Sequence, residues 1–197
     1  MLNRLLIRYY AAHKRRRVKK SSILELYSYQ FTINWILLMN VLFLCTGNSC
    51  RSLMGEALFN HLAPAGWHGL SAGSKPIGRL NAGAVALLLE KGISVAGYYS
   101  KSWNDLPLTP DIVLSVCGNA VNEICPVYLG SAIRSHWGVE DPAHFVGTEA
   151  EIKAAFETAY GILKYRIEQF LALPIDELKN DPVQLKFELD RISLLLP

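Results

Sequence analysis

Cys45-Thr46-Gly47-Asn48-Ser49-Cys50-Arg51-Ser52 follows the apolar run Val41-Leu42-Phe43-Leu44 and leads into a segment of helical periodicity. A loop between a strand end and a helix start turns its backbone N–H groups inward, and the helix dipole adds positive potential there. Gly47 and Asn48 are residue types that accept the left-handed backbone angles of such a loop. Arg51 supplies a planar fork for two oxygens of a tetrahedral oxyanion. Cys45 stands at the base, where the same N–H groups and the Ser52 hydroxyl favour its thiolate and make it a usable nucleophile. Cysteine and arginine at this spacing recur by chance in many chains. The Gly and Asn inside, the Ser after, and the strand and helix on either side make this stretch specific. Thr46, Gly47, Asn48, Ser49, Cys50, Arg51 and Ser52 are the expected oxyanion-binding residues. The bland alternative is a buried cysteine beside a helix N-terminus.

Outward from the loop, apolar runs and helical patterns alternate. Residues 41–44 read as a buried parallel strand. Residues 52–62 read as a helix with Leu53, Ala57, Leu58 and Leu62 on one face and Glu56 on the other. A second strand is expected over 67–72 and a helix over 82–91, with Ala84, Leu87 and Leu88 inward and Gly92 as its cap. The strongest strand spans 112–116, and a weak fourth spans 133–137. The longest helix covers 148–173, where Thr148 and Glu151 have capping-box spacing and Pro174 is the stop. An amphipathic helix follows within 178–196, beginning near Pro182. Alternating strands and helices predict an α/β fold of three α/β/α layers around a four-stranded parallel sheet, flavodoxin-like in type. In such folds the site lies at the C-terminal ends of the strands, so Cys45, Cys117 and the loop carrying Asp141 share one rim.

Of the 197 residues 51% are apolar and 19% charged, which suits one globular domain with an added segment. The net charge of +3 is uneven. Residues 1–38 carry eight Lys or Arg and one acid, net +7; the rest carry twelve basic and sixteen acidic residues, net −4. The basic balance therefore belongs to the first segment. Residues 1–38 are read as an N-terminal extension, disordered or from a misassigned start. They lack the order of a signal peptide and are too polar to span a membrane. The domain proper is expected over 39–173, with 174–197 as a helical tail packed on it. Four cysteines are too few and too uneven for a disulfide scaffold, so a reducing cytoplasm is the expected compartment. No metal-ligand constellation and no dinucleotide fingerprint stands out; no metal, no cofactor and no nucleic-acid or membrane partner is expected.

The stretch from Asn40 to Arg51, the run Ser71-Ala72-Gly73 and the segment His136-Trp137-Gly138-Val139-Glu140-Asp141-Pro142-Ala143 resemble the low-molecular-weight protein tyrosine phosphatase family. Within it they look like the arsenate reductases coupled to thioredoxin. The resemblance covers roughly residues 39–173. It implies Cys45 as nucleophile, Arg51 as oxyanion ligand and Asp141 as the acid that protonates the leaving oxygen, with Glu140 as its adjacent competitor.

Cys117 and Cys125 divide the subfamilies. Both could be small core residues. The reductases, however, place two cysteines in a similar Cys-Gly…Cys-Pro setting, which implies a relay for arsenic detoxification. Cys45 attacks arsenate, Cys117 attacks Cys45 as arsenite leaves, and Cys125 attacks Cys117. The last disulfide goes to a partner dithiol, thioredoxin or glutaredoxin with glutathione. Residues 117 and 125 lie about 12 Å apart if the segment between them is helical, whereas a disulfide needs Cα atoms within roughly 7 Å. Residues 118–124 are therefore expected to unwind on oxidation. Seven residues stand between the two cysteines where some relatives have six. In the phosphatases a cysteine at the position of Cys50 can pair protectively with the nucleophile; the relay does not require it. The alternative is a low-molecular-weight tyrosine phosphatase using Cys45, Arg51 and Asp141 alone. Such enzymes commonly carry paired tyrosines after the Asp-Pro, where this chain has Ala143 and His144. A non-catalytic oxyanion sensor is the third class.

Overall fold

The computed structural model describes residues 38–117 and 131–197. Residues 1–37 of the expected extension, and the segment 118–130 with Cys125, lie outside the described residues.

Strands β1 (Met39–Cys45), β2 (Trp67–Gly73), β3 (Ile112–Ser115) and β4 (Ile133–His136) form one sheet in the order β2-β1-β3-β4. Every pairing is parallel; Cys45 lies opposite Gly73 and Leu44 opposite Ser115. Helix α1 (Arg51–Leu62) links β1 to β2, and α2 (Ala82–Glu90) lies between β2 and β3. After β4 come α3 (Glu149–Leu171), the short turn α4 (Ile175–Leu178) and α5 (Pro182–Ser193). This is the α/β sheet architecture that the alternating pattern predicts.

Alternate residues of β1 feed two apolar clusters, as the two-residue period of a strand requires. Val41 and Phe43 join the larger one, with Leu53, Leu58, Leu88, Leu163 and Leu189 from the helices. Leu42 and Leu44 join a smaller one with Leu70, Ala72 and Val113, against which Trp103 and Leu106 pack. Phe59 stacks on Trp67 with ring centroids 6.2 Å apart, and Trp137 meets Phe170 edge-on at 6.4 Å.

Local signals set the helix ends. Asn81 caps α2 by accepting from Ala84 N, and Gly92, at φ +77°, makes the left-handed exit after it. Thr148 and Glu151 form the reciprocal capping box of α3. The C-terminal helix is shorter than the 178–196 reading, because Asp181 caps it and Pro182 takes its first position. It is fastened to the sheet by Trp137 Nε1 donating to Leu189 O (3.0 Å) and Ser135 Oγ donating to Asp190 Oδ1 (2.8 Å).

One expectation is corrected. Glu56 does not face outward but is 5% exposed, because residues 52–59 of α1 are buried on all sides. The helix sits close to β1 because Gly55 lies directly on the Phe43 ring; a Cβ there would stand 2.5 Å from it. That approach brings the N-terminus of α1 to the end of β1. Gly55→Ala is expected to lower stability by about 1–3 kcal/mol through overpacking, despite alanine's better helix propensity. Urea denaturation measures this, and an unchanged or raised midpoint would contradict the packing described.

Candidate active site

The loop from Cys45 to Arg51 is held from outside by its carbonyls. Thr46 O accepts from Lys75 N at 2.9 Å, Gly47 O from Ile77 N at 3.1 Å and Ser49 O from Asn81 N at 3.0 Å. A planar trans peptide points its N–H opposite to its C=O. The N–H groups of Gly47, Asn48 and Cys50 are therefore turned the other way, into the loop, where an anion can take them. Gly73, at the end of β2, must lack a side chain for this to happen. A Cβ there would meet Thr46 O at 2.5 Å and Asn48 N at 2.9 Å.

Asn48 is the one non-glycine residue with positive φ (43°) among the described residues. Its side chain holds that strained angle in place. Oδ1 accepts from Lys101 N at 2.7 Å, and Nδ2 donates to Ser52 Oγ at 2.9 Å and Ser71 Oγ at 2.8 Å. Ser71 in turn donates to Glu56 Oε2 at 2.5 Å. Ser52 Oγ already accepts from Asn48, so its own proton is free for Cys45 Sγ, 3.0 Å away. When Cys45 acts as a thiolate the sulfur has no proton to give, so the Ser52 hydroxyl is then the donor of this bond.

The far end of this chain of bonds is a buried ion pair. Lys101 Nζ lies 3.4 Å from Glu56 Oε1, with both side chains about 5% exposed, and also stands 4.7 Å above the Tyr99 ring. Burial pushes the Glu56 carboxyl above its ordinary range, while the Ser71 hydroxyl and the Lys101 charge pull it back. Glu56, Ser71 and Lys101 belong to the support of the site and are not legible from loop spacing.

A cavity of about 680 Å³ is lined by Cys45, Thr46, Gly47, Ser49, Cys50, Arg51, Cys117 and Asp141, with Lys75, Ile77, Asn81, Ala143 and His144 also in its wall. The side chains of Asn48 and Ser52 are fully buried and support the loop from behind, while the Asn48 N–H faces its interior. Cys117 is buried at the end of β3, its sulfur 3.7 Å from Thr46 Oγ1. Ala143 and His144, at the positions where the tyrosine phosphatases commonly carry paired tyrosines, stand in the cavity wall. Glu140 is exposed and does not line this cavity.

The Arg51 fork is engaged by protein acceptors. Nη1 donates to Val139 O at 3.0 Å and Nη2 to Asp141 Oδ2 at 2.5 Å. Its Nε is buried and has no partner among the described residues. Asp141 Oδ1 accepts from Ala143 N at 3.1 Å, and His144 Nδ1 lies 3.6 Å from Oδ2, the oxygen that Arg51 holds.

Cys50 caps α1 without a side-chain bond. Burial first, and the Asp141 charge second, push its thiol up to about 12. It therefore stays protonated at neutral pH and is a poor partner in thiol exchange. Among the described residues no group of three His, Cys, Asp or Glu side chains is placed to hold a metal ion.

The sequence pattern of the low molecular weight phosphotyrosine protein phosphatase family matches residues 40–184. The arsenate reductases of Shouchella clausii and Bacillus subtilis are each 37% identical to this chain over 131 residues, 66% of this chain and 93% of the relative. A solved arsenate reductase in its phosphate-binding state superposes with a TM-score of 0.57 at 29% identity, over 68% of this chain and 98% of its own. A low molecular weight protein tyrosine phosphatase from T. tengcongensis gives 0.50 at 28% identity, over 66% and 98%.

The two loop thiols should separate on alkylation. Iodoacetamide at pH 8 is expected to label Cys45 and leave Cys50 unlabelled in the folded chain. Ser52→Ala should slow the labelling of Cys45 at pH 7 about threefold, because the sulfur loses its buried hydroxyl partner. Peptide mass spectrometry over a time course measures both. Equal labelling of the two thiols would contradict the burial described for Cys50, and an unchanged rate in Ser52→Ala would contradict a working contact between Ser52 and Cys45.

Proposed function

Because the chain belongs to the low molecular weight phosphotyrosine protein phosphatase family, we propose that it reduces arsenate to arsenite by a thiol relay of Cys45, Cys117 and Cys125. The observation that carries this reading is the placement of Cys117 in the wall of the same cavity as Cys45, Arg51 and Asp141. A phosphatase needs no second thiol there. A reductase does, because two electrons must reach the bound oxyanion. The 37% identity over 93% of the length of two arsenate reductases supports the same choice.

Arsenate enters the loop and takes the inward N–H groups and Arg51 Nε. In competing for Nη2 it releases Asp141, whose carboxyl is then free to give a proton to the departing oxygen. The Cys45 thiolate attacks arsenic; an As–O bond breaks, water leaves and an S–As bond forms. Cys117 then attacks the Cys45 sulfur. The S–As electron pair stays on arsenic, which leaves as arsenite, and the two thiols become a Cys45–Cys117 disulfide. Cys125, outside the described residues, attacks Cys117 and frees Cys45. The remaining disulfide takes two electrons from a partner dithiol protein, thioredoxin or a glutaredoxin with glutathione. Such a cycle belongs in a reducing compartment, the cytoplasm. Asn48, Ser52 and the Lys101–Glu56 pair behind them keep the Cys45 sulfur supplied with a donor throughout.

Arsenate-dependent NADPH oxidation, coupled through thioredoxin and thioredoxin reductase, tests the reading. Wild type is expected to turn over continuously, and Cys117→Ser and Cys125→Ser to stall. If arsenate drives no oxidation while all three forms hydrolyse an aryl phosphate equally, the two downstream cysteines are structural and the chain is a phosphatase.

A further inference from the structure

Arg166 is a guanidinium in an unusual place. It lies on the core stripe of α3, between Leu163 and Ile167, and is 5% exposed. Among the described residues none of the ion pairs includes it. A buried cation without a carboxylate is costly unless its donors are used. Its donors go to two backbone carbonyls far apart in sequence: Nε to Leu195 O at 3.1 Å and Nη1 to Gly138 O at 3.2 Å.

Both ends of that bridge matter. Gly138 O belongs to the peptide whose N–H, that of Val139, donates to Val116 O at 3.1 Å. The plane of that peptide is thus gripped on one side by Arg166 and on the other by the end of β3. The next carbonyl, Val139 O, is the one Arg51 Nη1 holds at 3.0 Å, and Asp141 follows two residues later. At the other end, Leu195 O lies in the turn just after α5. Beyond the Trp137 anchor on Leu189 O, Arg166 and Arg51 hold the two successive carbonyls, of Gly138 and Val139, that lead to Asp141. Arg51 must also serve the oxyanion, whereas Arg166 lines no part of the cavity wall.

We infer that Arg166 is a positioning residue. By bridging Leu195 O and Gly138 O it ties the C-terminal turn to the segment that presents Asp141 and holds that carboxyl at the loop. Lysine cannot substitute, because one ammonium cannot span both carbonyls with the geometry of the fork. The C-terminal tail is on this view part of what orients the acid, not only a cover for the sheet. The catalytic arm of the test rests on the reading of Asp141 given above; the structural arm does not.

The experiment compares wild type, Arg166→Lys and Arg166→Met, each also in an Asp141→Asn background. Amide exchange is followed by mass spectrometry alongside single-turnover arsenite release. Exchange is expected to accelerate roughly tenfold in residues 138–143 and 193–197, with β1 and α1 unchanged. The rate should fall about tenfold when Asp141 is present and less than twofold when it is Asn, the non-additivity of two residues acting as one unit. Faster exchange spread evenly over β1 and α1, or equal rate losses in both backgrounds, would overturn the inference and leave Arg166 a general core residue. If wild type releases no arsenite, the proposed reduction fails on its own. The exchange pattern then still decides: acceleration confined to the two segments supports the bridge, and any other pattern overturns it.

Discussion

The anion loop depends on where its carbonyls go. Thr46, Gly47 and Ser49 give theirs to the backbone of residues 75–81, so the N–H groups of the same peptides have nowhere to point but inward. On the proposed reading this is an oxyanion site built from main chain alone, before any charged side chain is counted. It also explains why the neighbouring positions tolerate so little. Gly73 must lack a Cβ to admit the Thr46 carbonyl, and Asn48 must accept positive φ to complete the turn. Gly55, pressed on Phe43, keeps the helix close enough for its N-terminus to add to the same field.

Two sets of polar contacts then divide the work. Behind the loop, Lys101, Glu56, Ser71, Asn48 and Ser52 form a buried line of bonds ending at the Cys45 sulfur. Every member is satisfied by its neighbours, which is the condition under which a buried network rigidifies rather than destabilises. In front, Arg51 and Asp141 hold each other. On the proposed reading, that contact pairs a guanidinium and a carboxylate until a competing oxyanion arrives and frees Asp141 to act as the acid. Cys117 adds a second sulfur at the cavity wall, and Cys50, though in the loop, is kept protonated and idle by burial.

Much of this was legible in the sequence because its causes are local. The loop composition, the apolar run of β1, the capping box at Thr148 and Glu151 and the proline that opens α5 all act within a few residues. The four-stranded parallel sheet and the shared rim of Cys45, Cys117 and Asp141 follow from alternation and from the rule for strand ends. What could not be read is nonlocal. Glu56 looks like an outward residue by periodicity, since its partner Lys101 is 45 positions away. Arg166 looks like an interruption of an apolar stripe, since both its acceptors are backbone carbonyls with no sequence signature. The side-chain bonds of Asn48 and Ser52 behind the loop are not legible either, because loop spacing does not show which partners a buried side chain meets. Cys125, which the relay needs, lies outside the described residues.

The central claim is that arsenic receives its two electrons from this chain's own thiols. The most direct measurement gives reduced wild-type protein arsenate with no external reductant, then counts arsenite released and free thiols left per chain. The account predicts one arsenite released, two thiols lost, and a disulfide joining the peptides of Cys117 and Cys125. Release of no arsenite with all four thiols intact, or a disulfide joining Cys45 to Cys50 instead, would contradict it.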